Sequence, residues 1–313
     1  MKKPIDPGSI PGPRILYSKK MEQSTDMNWH DKYYKLLLLI PIILLIISLV
    51  YMGSFYSKNN DFVNKDISLT GGTSITIYEK IDVPSLEEFL LGNIDDINIK
   101  EIYDLVTREQ IAIIIETKAS EIETKELLEW YLGYELVNGE NASFEFTGSS
   151  LSESFYKQLL IAILFAFILM AIVVFFIFRT FVPSMAVIIA AFADILMTLT
   201  VINIFEMKIS SAGIVAFLML IGYSVDTDIL LTTRILKRDE GSLNERIYGA
   251  FKTGLTMTLT SLLAMAFALF VVKSFSIILT QIFTILVIGL GFDILNTWIT
   301  NASILKWYVE KKK

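Results

Sequence analysis

Two carboxylates lie two residues apart inside a long apolar stretch of this 313-residue chain. They are Asp226 and Asp228. An aspartate at the centre of a membrane-spanning helix costs roughly 2.5 to 3.5 kcal/mol on insertion scales, so it requires a partner or a function. On a helix the two side chains would be about 200° apart, because each residue turns an α-helix by about 100°. They therefore cannot both face one partner.

Other polar groups lie in neighbouring apolar stretches at similar depth, namely Asp194, Asp293 and Lys252. Residues three and four apart share one face of a helix, and this spacing groups the polar residues into three stripes. The stripes are Asp293 with Asn296, Thr297, Thr300 and Asn301, Lys252 with Thr256 and Thr260, and Asp194 with Thr198.

For the threonines of these stripes we favour a structural interpretation, as hydrogen-bonding glue between helices. For the aspartates we favour a function, because acids within a membrane commonly mark ion or proton pathways. We expect one of Asp226 and Asp228 to face Lys252 and the other to face a neighbouring helix. A buried, partly paired carboxylate of this kind could exchange protons.

The composition excludes several kinds of chemistry. The chain has no cysteine, which rules out thiolate catalysis, disulfides and iron–sulfur ligation. Its only histidine, His30, precedes the first apolar stretch, so neither a histidine zinc site nor a histidine proton relay is expected. We predict no catalytic residue, no metal site and no cofactor.

Apolar residues make up 53% of the chain and fall into six long blocks. Each block can cross about 30 Å of hydrocarbon at about 1.5 Å per residue. The sequence therefore predicts a polytopic α-helical membrane protein with six transmembrane helices. The blocks are residues 36–56, 159–178, 182–205, 209–231, 253–272 and 276–298.

Lysine and arginine are concentrated at both ends of the chain and in the second and fourth connections between blocks. Because these residues resist translocation, both termini are predicted to be cytoplasmic. The predicted organisation follows the chain in five parts. These are a cytoplasmic tail (1–34) that is proline-rich and disordered, a first transmembrane helix (35–56), an extracytoplasmic domain (57–156), a five-helix transmembrane bundle (157–305) and a cytoplasmic tail (306–313).

The extracytoplasmic segment shows the pattern β-α-β-β-α-β, which is the ferredoxin-like order of an α+β domain. It contains 20 Asp and Glu against 7 Lys and Arg, which argues against binding to nucleic acid. We favour a solvated surface over an acidic docking face, and we expect the domain to fold alone. The strands are predicted at 73–78, 97–106, 111–118 and 143–147, and the helices at 84–91 and 121–132.

Three sequence elements resemble the SecF family of the protein-export machinery, a half-size branch of the resistance-nodulation-division superfamily. The segment Asp66-Ile67-Ser68-Leu69-Thr70-Gly71-Gly72-Thr73 is similar to the family's Asp-Phe-Thr-Gly-Gly-Thr element. Asp194 stands where the family has the aspartate of a His-Asp dipeptide, with Ala193 in place of the histidine. The third element comprises the signature residues Gly222, Tyr223, Ser224 and Thr227, with Arg234 at the end of the same helix.

The chain departs from the bacterial pattern at two points. The bacterial signature has one aspartate where this chain has Thr227, flanked by Asp226 and Asp228, and this form resembles the archaeal branch. The bacterial arginine of the fifth span corresponds to Lys252, which keeps the positive charge without the planar fork of a guanidinium.

The resemblance implies a non-enzymatic subunit of the cell membrane that pairs with a SecD-like subunit in an assembly of two six-span halves. Such a subunit promotes the passage of exported polypeptides through the Sec translocon channel, and proton flow moves the outer domains. It implies proton or ion coupling for Asp226, Asp228, Asp194, Lys252 and Asp293. Gly71 and Gly72 would then form either a hinge of the outer domain or a tight turn.

Two other functions are kept as alternatives. The first is a stand-alone lipid or small-molecule exporter of the same superfamily, although such exporters usually carry both halves in one chain with larger outer domains. The second is a purely structural assembly subunit, in which the aspartates only hold helices together.

Overall fold

The computed structural model describes residues 34–94, 96–237 and 241–312. The predicted N-terminal tail, including His30, lies outside the described residues except for Tyr34.

Besides a helical turn at residues 34–37 that leads into the first long helix, the described chain contains ten α-helices, one π-helical segment and four strands. The helices are α1 (Leu39–Asn59), α2 (Ile67–Thr70), α3 (Val83–Leu91), α4 (Glu121–Leu132), α5 (Ser149–Phe178), α6 (Phe181–Ile204), α7 (Ser211–Lys237), α8 (Leu243–Val272), α9 (Ile277–Leu295) and α10 (Ala302–Lys312). The π-helical segment is Asn296–Asn301. The strands are β1 (Gly72–Ile77), β2 (Ile97–Tyr103), β3 (Gln110–Thr117) and β4 (Ala142–Thr147).

Six helices of the described chain are long and apolar enough to cross a membrane, as predicted. They are α1, α5, α6, α7, α8 and the continuous helix formed by α9, the π-helical segment and α10. The protein is therefore a multi-pass membrane protein. The third and fourth spans, α6 and α7, are the most buried, whereas α1, α5 and α8 expose most of their apolar surface. The bundle is thus built around α6 and α7.

The four strands form one antiparallel sheet in the order β2-β3-β1-β4. Alternate isoleucines of the two central strands, such as Ile75 and Ile113, are fully buried against α3 and α4. Leu86, Leu90 and Leu128 supply the helical side of this core. The β-α-β-β-α-β order predicted from the sequence is confirmed, because the period-2 pattern of each central strand directs one face to the helices.

The ends of the spans differ from the predicted boundaries. The helix of the second span begins at Ser149, directly after β4, so residues 149–156 belong to this helix rather than to the outer domain. The sixth span continues to Lys312, because the π-helical segment carries the helix past Trp298 without a break. Apolar content set the predicted ends, whereas backbone hydrogen bonding extends both helices through more polar residues.

A segment between α1 and β1, residues 61–70, joins the outer domain to the bundle, and we call it the linker segment. The Asp66 N–H donates to the Ile209 carbonyl (3.0 Å), and the Ile209 N–H donates to the Asn64 carbonyl (2.6 Å). The Ser211 N–H donates to Ser68 Oγ (3.0 Å). The linker segment is therefore hydrogen-bonded to the connection between α6 and α7, the two central helices.

The β2–β3 hairpin makes a second junction with the bundle. The Tyr103 N–H donates to the Ser274 carbonyl (2.8 Å), and Arg108 Nη1 donates to Ser274 Oγ (2.9 Å), in the connection between α8 and α9. Lys208 Nζ lies 3.0 Å from Asp96 Oδ1. The outer domain is thus docked on both connections that face it.

Candidate functional site

Three aspartates lie where α6, α7 and α9 pack together at the centre of the bundle. They are Asp194 in α6, Asp228 in α7 and Asp293 in the last turn of α9, and the exposed fraction of each is 0%. The sequence predicted similar depths for these residues, and the helix packing brings them into one network.

Asp194 has hydrogen-bond donors for both carboxyl oxygens. Ser224 Oγ donates to Oδ2 (2.6 Å), and Asn296 Nδ2 donates to Oδ1 (2.7 Å). Thr198 instead donates to the Asp194 backbone carbonyl (2.6 Å). This carboxyl group joins three spans, since its partners come from α7 and from the π-helical segment.

Asp228 and Asp293 share one threonine hydroxyl. Thr297 Oγ1 lies 2.9 Å from Asp228 Oδ1 and 3.1 Å from Asp293 Oδ1, and Asn301 Nδ2 also donates to Asp228 Oδ1 (2.7 Å). A hydroxyl has a single proton to donate. Either this proton is shared between the two carboxyl groups, or one carboxyl is protonated and donates to the threonine oxygen. The geometry therefore suits a pair of acids that holds at least one proton.

The remaining oxygens of this pair, Asp228 Oδ2 and Asp293 Oδ2, are buried and have no hydrogen-bond partner among the described residues. Within 34–94, 96–237 and 241–312, no lysine or arginine forms an ion pair with Asp194, Asp228 or Asp293. An uncompensated buried carboxylate is costly, so three ionised carboxyl groups would be unfavourable in this arrangement of the described residues.

The π-helical segment supplies a polar partner to each of the three acids. Asn296, Thr297 and Asn301 are buried in it, and each contacts a carboxyl group. A π-helix is wider than an α-helix because its hydrogen bonds run from i to i+5, and it occurs often at functional sites. The wider turn places residues 296, 297 and 301 on one side of the helix.

Asp226 lies on the opposite side of α7 from the network. It is exposed, and so is Gly222 one turn earlier, whereas Ser224 and Asp228 are buried. The angle of about 200° predicted for the two aspartates therefore separates an inward carboxylate from an outward one.

Lys252 differs from expectation. It is exposed on α8 together with Thr256 and Thr260, and within the described part of the chain it forms no ion pair with Asp226 or Asp228. The two threonine hydroxyls donate to backbone carbonyls of their own helix, Thr256 to Lys252 (2.7 Å) and Thr260 to Thr256 (2.6 Å). Lys252, Thr256 and Thr260 do share one face of α8, as predicted. This face points away from the bundle because the other side of α8 packs against α7.

The rest of the signature holds α7 against its neighbours. Arg234 donates to the Gly249 carbonyl (2.5 Å) and to Thr253 Oγ1 (3.0 Å) on α8. Thr227 Oγ1 of α7 lies 3.2 Å from Thr258 Oγ1, which is also on α8. Tyr223 packs against the apolar core at the outer end of the bundle. These residues are best described as helix-packing groups.

Gly71 and Gly72 lie at a crowded turn between α2 and β1. Both have positive φ, 80° and 147°. A Cβ on Gly71 would lie 2.4 Å from Ser149 Cα, and one on Gly72 would lie 2.4 Å from the Thr117 carbonyl oxygen. Glycine is therefore required here by close backbone approach as well as by backbone conformation.

A protein-family model described as "Protein export membrane protein SecD/SecF, C-terminal" matches residues 133–311. The chain is 42% identical over 284 residues to the protein-export membrane protein SecF of Methanocaldococcus jannaschii, covering 89% of this chain and 96% of the relative. The SecF of Methanothermobacter thermautotrophicus is 38% identical over 288 residues, with 89% and 94% covered. The chain belongs to the SecF family.

The fold also agrees with a solved structure of this family. The crystal structure of SecDF from Thermus thermophilus, described as a translocon-associated membrane protein, matches with a TM-score of 0.71 at 20% identity. The match covers 89% of this chain and 38% of that one. At this identity the likeness concerns the fold, and it confirms the predicted architecture of this SecF family member.

Asn296, Thr297 and Asn301 belong to a polar stripe predicted from the sequence, but that pattern does not mark them as functional. Their spacing from Asp293 was the available signal. Gln281 of α9 was not predicted from the sequence. Its Oε1 accepts from the Ser210 N–H (3.0 Å), and its Nε2 donates to the Lys208 carbonyl (2.6 Å). A single glutamine in an apolar helix gave no pattern to interpret.

Proposed function

We propose that this chain is the SecF-type subunit of a protein-export complex, in which proton exchange at the buried carboxylates assists the passage of exported polypeptides through the Sec translocon channel. The names of its relatives support the export role. The observation that carries the coupling role is the network of Asp194, Asp228 and Asp293, which is fully buried and has no cationic partner among the described residues.

A proton fits the network better than a metal ion. Within the described residues, no three acidic, histidine or cysteine side chains are arranged to hold a metal. The Thr297 hydroxyl between Asp228 and Asp293 instead matches a protonated carboxyl beside a second acid. One charge crossing a potential of 100 mV supplies about 2.3 kcal/mol, enough to shift a two-state equilibrium more than tenfold.

The route from the network to the outer domain runs through the connection between α6 and α7. Asp194 and Asp228 lie in these two helices, and their connection is hydrogen-bonded to the linker segment through Ile209 and Ser211. A change in the packing of α6 against α7 would displace that connection. Gly71 and Gly72, in the crowded turn where the linker segment enters β1, would carry that displacement into the sheet.

The outward face of α7 would meet the SecD-like subunit. Asp226 on α7 and Lys252 on α8 are exposed in helices whose surroundings are apolar, and leaving either against lipid is costly. A second six-span subunit with polar groups of its own would cover both. The complex would lie in the cell membrane with both termini of this chain in the cytoplasm, as the distribution of lysine and arginine favours.

Export by living cells tests the proposal. In an archaeal host that lacks its own SecF-type subunit, this chain is expressed with its SecD-like partner, and secretion of a reporter is followed by pulse-chase. We expect the unchanged chain to restore export and Asp194→Asn to fail at equal membrane abundance. Glu126→Gln, an exposed carboxylate on α4, is the matched control and should restore export. Full export with Asp194→Asn would leave the network a structural role only.

A further inference from the structure

A buried glutamine of α9, Gln281, is hydrogen-bonded to the connection between α6 and α7. It lies in the second turn of α9 and is 8% exposed. Its Oε1 accepts from both the N–H (3.0 Å) and the hydroxyl of Ser210, and its Nε2 donates to the Lys208 carbonyl (2.6 Å). The side-chain amide therefore uses its oxygen and one of its two N–H groups on a single stretch of chain outside its own helix.

The contacts of this connection alternate along the chain. Ile209 forms a parallel β-bridge with the linker segment, and Ser211 is hydrogen-bonded to the same segment. The intervening residues, Lys208 and Ser210, are hydrogen-bonded to Gln281 instead. Successive residues of an extended chain present their groups to opposite sides. The connection therefore lies between the linker segment on one side and α9 on the other.

Two glycines allow α7 and α9 to approach closely along this path. A Cβ added to Gly213, in the first turn of α7, would lie 2.7 Å from Gln281 Oε1. Nearer the network of buried acids, a Cβ added to Gly289 of α9 would lie 2.5 Å from Leu220 Cδ1 of α7. The two helices are thus in close contact from the connection towards the network, and Gln281 fixes the outer end of α9 in this contact.

We propose that Gln281 is a positioning residue that carries movement of α9 to the linker segment and, through it, to the outer domain. The inference rests on the proposed function and adds a second helix to its route. Asp293 follows Gln281 on the same helix, about 18 Å further along the axis at about 1.5 Å per residue. A displacement of α9 at Asp293 would move the connection through the hydrogen bonds to Lys208 and Ser210, and not through α7 alone.

Hydrogen exchange of the full-length chain measures the link to the linker segment without any proton gradient. Gln281→Leu removes the amide and keeps an apolar side chain. We expect it to accelerate exchange of the Asp66 N–H, which donates to the Ile209 carbonyl, at least tenfold, and to leave the amides of β1 unchanged. Thr280→Val is the matched control, because that hydroxyl donates to the Ser276 carbonyl of its own helix (2.7 Å). Unchanged exchange of the Asp66 N–H in Gln281→Leu would overturn the proposal.

Export and proton flux, measured on assembled complexes with the SecD-like subunit, distinguish transmission from packing alone. For Gln281→Leu we expect export to fall at least fivefold while proton flux stays within about twofold of the unchanged complex, because the network of buried acids is intact. Full export, or loss of flux in parallel with export, would overturn the proposal. Absence of flux in the unchanged complex would contradict the proposed function instead, and exchange of the Asp66 N–H would still decide whether Gln281 holds the linker segment.

Discussion

The two sides of α7 carry the same residue type in different surroundings. Asp228 is buried between helices and contacts Thr297 and Asn301, whereas Asp226, two residues earlier, is exposed on the outer surface. One side chain belongs to a closed polar network, and the other would face lipid or a partner subunit. A short sequence motif can therefore hold two functions, because the helix angle assigns each carboxylate to a different neighbour.

The largest expected effect is on export, and it should separate the role of the inward Asp228 from that of the outward Asp226. Asp228→Asn should reduce export at least tenfold while complex formation with the SecD-like subunit stays normal, because asparagine keeps an oxygen for Asn301 but cannot release a proton. Export is measured by pulse-chase and assembly by co-purification. Loss of assembly together with export would mean that the inward and outward roles are not distinct.

The opposite result is predicted for the outward carboxylate. Asp226→Asn should weaken association with the SecD-like subunit about tenfold, because a charge-assisted contact within the membrane would be lost. The fraction recovered as a complex after purification in mild detergent measures this. In the complexes that remain, export per complex should be unchanged. Normal assembly of this variant would remove the proposed interface.

How far the sequence could predict this arrangement is clear from α7 itself. Helix geometry predicted that the side chains of Asp226 and Asp228 point to opposite sides of α7, but it did not predict which of them faces inward. Each has a small residue one turn earlier on its own face, Ser224 before Asp228 and Gly222 before Asp226. Only the packing of α6 and α9 decides between the faces, and that packing depends on residues far away in the chain.

The sequence was least informative where backbone geometry or distant partners determine the structure. The π-helical segment at Asn296–Asn301 has no distinct residue pattern, although it positions three partners of the acids. The linker segment pairs with Ile209 through backbone groups, which every residue type possesses. Lys252 was predicted to face an aspartate because it lies at a similar depth and its polar stripe needs a partner, but helical spacing defines a face without showing what covers it.

An intermediate effect on stability and export is expected for a change within the network of Asp194, Asp228 and Asp293. Thr297→Val removes the hydroxyl between Asp228 and Asp293 and should lower stability by about 1 to 3 kcal/mol, since buried acceptors lose their donor. Export should fall several-fold. Thr260→Val is the control, because this exposed threonine hydroxyl donates to the Thr256 carbonyl of its own helix and lies outside the network. Thermal unfolding in detergent should distinguish the two variants, and equal stability would argue against the shared hydroxyl.

The smallest effect concerns the docking of the outer domain on the central helices. Hydrogen bonds from the Lys118 and Lys208 ammonium groups hold the pKa of Asp96 below its usual value, despite partial burial of the carboxyl. A lowered folded-state pKa contributes stability that is present above the unfolded value of about 3.9 and lost as the pH falls through the folded value. Such a partly exposed contact is worth about 0.2 to 1 kcal/mol.

Acidification below about pH 4 should therefore loosen the junction between the domain and the bundle. Hydrogen exchange of the Tyr103 amide, which donates to the Ser274 carbonyl, reports on this docking. We expect exchange to accelerate modestly in acid after correction for the intrinsic pH dependence. Asp96→Asn should show the faster exchange at neutral pH and no further change. An acid response that survives in Asp96→Asn would assign it to another group.

Proton flux through the assembled complex tests the central claim most directly. This chain and its SecD-like partner are reconstituted in vesicles containing a pH-sensitive dye, and a proton gradient with a membrane potential is imposed. We predict that the unchanged complex conducts protons, that Asp228→Asn abolishes the flux, and that Asp226→Asn retains it in each complex that assembles. Undiminished flux with Asp228→Asn, or loss of flux in assembled Asp226→Asn complexes, would contradict the division between the two sides of α7.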